Sequence, residues 1–97
     1  MDKKSALDIV TRFRKAVESR GIAVNKLILY GSYARGDYRE GSDIDLILIS
    51  EDFKKHDYWS RIDILSEAIY EVFAPIEVVG FTPEEWASET SPLFDFA

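Results

Sequence analysis

Asp43 and Asp45 stand one residue apart in "SDIDL", at the start of the apolar run "DIDLILIS" over residues 43–50. A strand alternates its side chains between two faces, so residues i and i+2 share a face with Cα atoms roughly 6.5 to 7 Å apart. Carboxylates at that spacing repel each other, and burying them costs free energy unless a partner neutralises them. Their hard oxygens suit Mg²⁺ or Mn²⁺, and a divalent ion between them removes the repulsion. Glu77, in "PIEVV", is the remaining acid inside an apolar strand pattern and becomes a third metal ligand if its strand lies beside residues 43–49. Gly31 and Ser32 follow the apolar run "KLILY" directly. A glycine at a strand end permits close backbone approach, and exposed N–H groups with one hydroxyl suit a phosphate.

Plainer roles stand beside each of these. Asp43 can cap the loop while Asp45 pairs with Arg35 or Arg39, and Glu77 can be a surface residue of a half-exposed strand. Gly31 can serve a tight turn alone. Arg35 suits phosphate contact or an ion pair within the acidic cluster, and Ser42 either caps its loop or touches a ligand. His56, in the polar run "EDFKKHDYW", is expected to be solvent-exposed.

Positioning these residues requires a small set of elements. Ala6, Val10, Phe13 and Val17 recur at helical spacing, with Ser5 and Asp8 resembling a capping box and Gly21 a C-terminal stop. "KLILY" (26–30) reads as a buried strand, residues 33–39 as the start of a short helix, and "DIDLILIS" as a second strand. In that strand Ile44, Leu46 and Leu48 share one face, and Asp43, Asp45, Ile47 and Ile49 the other. Ile62, Leu65, Ile69, Val72 and Phe73 set a long helix over about 58–73, stopped by Pro75. "IEVVGF" (76–81) is a third strand; Thr82, Pro83 and Glu85 then open a last helix before a polar tail. Trp59, Trp86, Phe94 and Phe96 are expected to close the core from its edges, unless the final phenylalanine pair stands exposed as a partner surface. This order predicts an α/β (α+β) class, a small mixed β-sheet with helices packed over it.

The chain of 97 residues is 46% hydrophobic and 31% charged, which fits one folded domain over 1–97. It has no cysteine, hence no disulfide framework or thiolate metal site. No apolar run approaches membrane-spanning length, and a cytoplasmic location is the expectation. The net charge of −6 disfavours a grip on nucleic acid and favours a basic partner, in a homo- or hetero-oligomer.

At "GSYARG", "SDIDL" and "PIEVV" the chain resembles the minimal nucleotidyltransferases of the DNA polymerase beta-type superfamily, over about residues 26–86. The resemblance implies the polymerase beta-type nucleotidyltransferase fold and transfer of a nucleoside monophosphate from an NTP to an acceptor, with two metal ions clamping the attacking and leaving oxygens. It casts Asp43 and Asp45 as catalytic metal ligands, and Gly31 and Ser32 as triphosphate binders. Glu77 takes the third acidic position, usually aspartate there. Short members of the group look like antitoxins paired with an all-helical HEPN toxin, adding AMP from ATP to a tyrosine of the partner and silencing its RNase activity. Too few residues follow Gly80 to form an acceptor-binding domain, so the acceptor is expected from a separate protein. Transfer to a small molecule such as an aminoglycoside, or a non-catalytic module that neutralises its partner by contact, are the alternatives.

Overall fold

Helix α1 (Lys3–Glu18) buries Ala6, Phe13, Ala16 and Val17 along one stripe, in a computed structural model that describes residues 1–88. Its N-cap is Asp2, whose side chain accepts from the Ser5 backbone N–H at 2.8 Å. The cap thus lies three residues before the expected one, because the helix extends a turn beyond its first buried residue. A strand β1 (Lys26–Tyr30) follows, then a single helical turn α2 (Ser32–Arg35) and strand β2 (Ile44–Ile49). Helix α3 (Tyr58–Val72) crosses over to strand β3 (Ile76–Phe81), and α4 (Pro83–Ala87) closes the described chain. Phe94 and Phe96 lie outside the described residues. Among the described residues, no helix is long and apolar enough to cross a membrane.

β2 is the centre of a three-stranded sheet. β1 pairs with it antiparallel, and β3 pairs parallel, which requires the α3 crossover. The alternation of β2 gives the sheet two unlike faces. Ile44, Leu46 and Leu48, all fully buried, pack with Phe13, Val17, Leu65 and Ala68 beneath α1 and α3. Ile47, Ile49 and Phe81 form a smaller cluster on the other face with Ile28, Tyr30 and Trp86. The Trp86 ring meets Phe81 at 5.7 Å.

Several side chains depart from expectation. Trp59 is 70% exposed and Phe73 85% exposed, so neither closes the core. Phe73 falls just beyond the last helical residue, where the backbone turns left-handed at φ 57° and carries the ring outward. His56 is half-buried, its Nδ1 lying 2.8 Å from the Ser60 hydroxyl. The polar run before α3 contains a short 3₁₀ turn, Glu51–Lys55, that buries Phe53 completely. Gly80 makes room for that ring: a Cβ there would lie 2.8 Å from Phe53 Cε2.

Arg61 ties this corner together. Its guanidinium donates to the carbonyls of Phe53 (2.8 Å) and His56 (3.0 Å) and to Glu85 Oε1 (2.6 Å), and it lies 5.5 Å from the centre of the Phe53 ring. Glu85 Oε1 also accepts from the Thr82 N–H at 2.8 Å, completing the capping box of α4. Burial pushes the Glu85 carboxyl up, but hydrogen bonds from Arg61 and Thr82 outweigh it and hold the group below its usual range. Arg61→Met keeps the aliphatic stem but leaves two carbonyls and a carboxylate without their donor. It is expected to cost about 2–4 kcal/mol in urea unfolding. A carboxyl with a depressed folded pKa contributes stability that is present above its unfolded value and lost as pH falls through the folded one. The gap between wild type and Arg61→Met should therefore narrow below about pH 4.

Candidate active site

The strand register sets Tyr30, Asp45 and Glu77 side by side in one row across the sheet. The row lies on the face of Ile47 and Ile49, opposite the helix-covered core. Asp43 precedes β2 by one residue and is exposed. Neighbouring strands lie about 4.8 Å apart, so carboxyl groups on paired residues of one face meet. Glu77 shows the result. Its carboxyl is held above the usual range, first by sharing a hydrogen bond with Asp45 and then by the charges of Asp43 and Asp45. The Tyr30 phenol is also pushed up, by burial first and then by the Asp45 and Glu77 charges. Among the described residues neither Asp43 nor Asp45 pairs with a cation: Arg39 pairs with neither acid, and Arg35 meets Asp37 at 3.3 Å. That ion pair is exposed at both ends and contributes little.

Gly31 lies against the same acid. Its backbone takes φ 74° and ψ −153°, a region almost confined to glycine. A Cβ there would overlap the Asp45 carboxylate, with Cγ at 3.0 Å. The glycine therefore serves more than a turn: it brings the strand-end backbone into contact with the acid row. The first helical bonds of α2 run from the Ala34 and Arg35 N–H groups to the Gly31 carbonyl, at 3.1 and 3.0 Å, and the N–H groups of Ser32 and Tyr33 lie ahead of them. Tyr33 anchors the turn. It is buried, stacks on Tyr38 at 4.6 Å, and donates from its hydroxyl to the Met1 carbonyl at 3.5 Å.

The structure thus gathers Gly31, Asp45 and Glu77, with Asp43 and Ser32 flanking them. It directs Ser42 elsewhere. The Ser42 hydroxyl accepts from the Arg39 N–H at 2.8 Å and its own N–H donates to the Arg39 carbonyl at 3.0 Å, closing the loop before β2. Among the described residues no three acids converge into a ready ion-binding cluster. Asp45 and Glu77 adjoin, and Asp43 acts on them through its charge. The donor chemistry and the Gly31 cradle nonetheless fit a hard divalent cation and the phosphates that accompany it. Tyr30 escaped the sequence reading. Only the pairing of β1 with β2 brings it to the row, although its place directly before Gly31 was the available signal.

Comparison with known proteins bears on this geometry. The nucleotidyltransferase domain family matches residues 10–91, which takes in β1, β2 and β3. Three Methanocaldococcus jannaschii proteins, each named a "putative protein adenylyltransferase", are similar in sequence. One is 38% identical over 52% of this chain and 47% of its own length. A second is 45% identical over 46% and 48%, and a third 39% identical over 65% and 41%. Each match thus spans under half the length of the relative. In fold, the chain superposes on a crystal structure of a "putative nucleotidyltransferase" from Sulfolobus solfataricus with a TM-score of 0.71, at 22% identity, covering 88% of this chain and 74% of the other. With the family's pattern running from α1 through α4, the chain belongs to the nucleotidyltransferase domain family.

Proposed function

We propose that the chain transfers AMP from ATP to a tyrosine hydroxyl of a partner protein, and that it acts in this way as the antitoxin of a HEPN-type helical toxin. The observation that carries the reading is the Asp45–Glu77 pair, two carboxylates set together without a cation partner and pressed against a glycine turn. The names of the three relatives support a protein acceptor. The net charge of −6 supports a basic one.

Asp43, Asp45 and Glu77 would hold Mg²⁺ or Mn²⁺. When bound, such an ion neutralises charge at the attacking and leaving oxygens. Gly31 and Ser32 receive the triphosphate through backbone N–H groups and the Ser32 hydroxyl. Arg35 can leave its exposed pair with Asp37 for a phosphate at little cost. Glu77, set beside Asp45 in the acid row, accepts the proton of the acceptor hydroxyl. The acceptor oxygen then bonds the α-phosphorus and pyrophosphate leaves.

Mass spectrometry of the protein mixed with ATP, Mg²⁺ and its cognate helical partner should show one or more AMP units on a partner tyrosine, lost with Asp43→Asn. A silenced partner with no added AMP and no effect of Asp43→Asn would favour neutralisation by contact; efficient modification of an aminoglycoside by the chain alone would favour the small-molecule reading.

At the turn, Ser32→Ala should weaken Mg–ATP binding in calorimetry by about 1–2 kcal/mol, the scale of one hydrogen bond to a charged group. Gly31→Ala should lower both ATP affinity and melting temperature, since its Cβ displaces Asp45. Unchanged ATP affinity in both variants would leave the turn a purely structural device.

The acid pair also predicts a pH dependence. A group whose folded pKa is raised contributes stability that is complete below its unfolded value and is lost as pH rises through the folded one. Metal-free Asp45→Asn should therefore melt above wild type at neutral pH, because it removes the neighbouring carboxylate that raises the Glu77 pKa. The difference should vanish below about pH 4. Thermal melts across that interval check this, and a higher wild-type melting temperature at neutral pH would contradict it.

A further inference from the structure

Helix α3 has two apolar sides, and only one faces the core. Leu65, Ala68 and Val72 are buried beneath it. Turned away from them, Trp59, Tyr70 and Phe73 are 70%, 81% and 85% exposed. Half-buried Ile62 and Ile69 fall between these at helical spacing and join them into one stripe, with exposed Ser66 on its outer side. A cleft of about 170 Å³ runs between the stripe and Val78–Gly80 of β3, and another of about 340 Å³ lies at its Phe73 end. Next to the stripe, Asp63, Glu67 and Glu71 form a ridge at four-residue spacing. One arginine answers two of them: Arg20 meets Glu67 at 3.6 Å and Glu71 at 2.9 Å, while Asp63 has no cation partner among the described residues.

Folding alone does not account for Phe73. Among the described residues it is the only non-glycine with positive φ, a conformation that glycine adopts freely and a bulky side chain does not. The chain holds an aromatic ring there and gives it almost wholly to solvent. A surface with three large exposed aromatics along one helix is a recognition surface rather than a scatter of single apolar residues.

We propose that this stripe docks an amphipathic helix of a partner protein, its apolar side laid along Trp59–Phe73 and its flanks carrying Lys or Arg. Charge selects this occupant. A second copy of the chain would bring one acidic ridge against another and add its own net charge of −6, whereas a basic flank meets Asp63, Glu67 and Glu71. The stripe also ends near the acids. Phe73 precedes Glu77 by four residues, and the Pro75 carbonyl accepts from the Ile44 N–H at 2.8 Å, joining the foot of α3 to the start of β2. A helix seated there holds its protein beside the acid row; that placement of the acceptor rests on the transfer reading, and the docking itself does not.

Two synthetic amphipathic helices with the same leucine stripe, one flanked by lysine and one by glutamate, test the surface by calorimetry. The lysine form should bind at least about tenfold more tightly, and Phe73→Gly and Asp63→Lys should each weaken it by about tenfold or more. Phe73→Gly should melt at or above wild type, since glycine suits the left-handed position, so a loss of binding is not a loss of fold. Equal affinity for the two peptides, or affinity unmoved by both variants, would overturn the proposal. So would a concentration-dependent dimer in sedimentation that Phe73→Gly abolishes, because the second copy would then be the occupant. Mg–ATP binding measured on the same samples separates the two readings: peptide binding that behaves as expected in a chain that binds no Mg–ATP sustains the docking surface and removes the nucleotide chemistry.

Discussion

Parallel pairing of β2 with β3 forces two carboxylates, Asp45 and Glu77, into neighbouring positions on one face of a sheet. No cation among the described residues compensates them, so their proximity works against folding and must be held by interactions elsewhere. The opposite face supplies these. Ile44, Leu46 and Leu48, fully buried beneath α1 and α3, fix the height and direction of β2, and Ile76 and Val78 fix β3 beside it. The acids and the core therefore belong to the same two strands, read on alternate residues. Gly31 adds a third constraint, since its bare Cα lets the backbone of the turn touch Asp45 where any side chain would displace it.

Much of this was legible in the sequence. The alternation in "DIDLILIS" gave the two faces of β2 correctly, and "IEVVGF" gave β3 with its bounds, because period-two patterning in a short apolar run is a direct imprint of burial. Thr82, Pro83 and Glu85 marked α4 because a capping box is a local device whose partners are three residues apart. What stayed hidden was non-local. Tyr30 joins the acid row only through strand register, and Arg61 reads as one more helix-surface cation until β3, α4 and the 3₁₀ turn close around it. Phe73 misled because it continues the apolar repeat of α3 by one step, just past the residue at which the helix ends.

The sheet and its surroundings divide the labour of the molecule by side. One face of the sheet is committed to packing, and the other carries the acid row at its edge and a small apolar cluster under Trp86. α3 repeats the division on its own surface, with a core-facing side and an aromatic side that no described residue covers. Arg61 lies where these regions meet, spanning the 3₁₀ turn, α3 and α4. The corner it holds lies at the far end of β3 from Glu77, so the integrity of that corner and the chemistry of the acids can be altered separately.

Alternation along β2 also guards the strand against misalignment. Shifting it by one residue relative to its neighbours would turn Asp45 inward among Phe13, Val17 and Leu65 and carry Leu46 and Leu48 out of the main core to the opposite face. An apolar residue at position 45 would make that slipped state far more tolerable, since the shifted strand would then present an unbroken apolar side to the helices. A polar, acidic side chain on the central strand penalises the wrong alignment by its cost of dehydration, whatever it does for a ligand. The acid at position 45 thus adds to the buried leucines a penalty against any one-residue slip of β2.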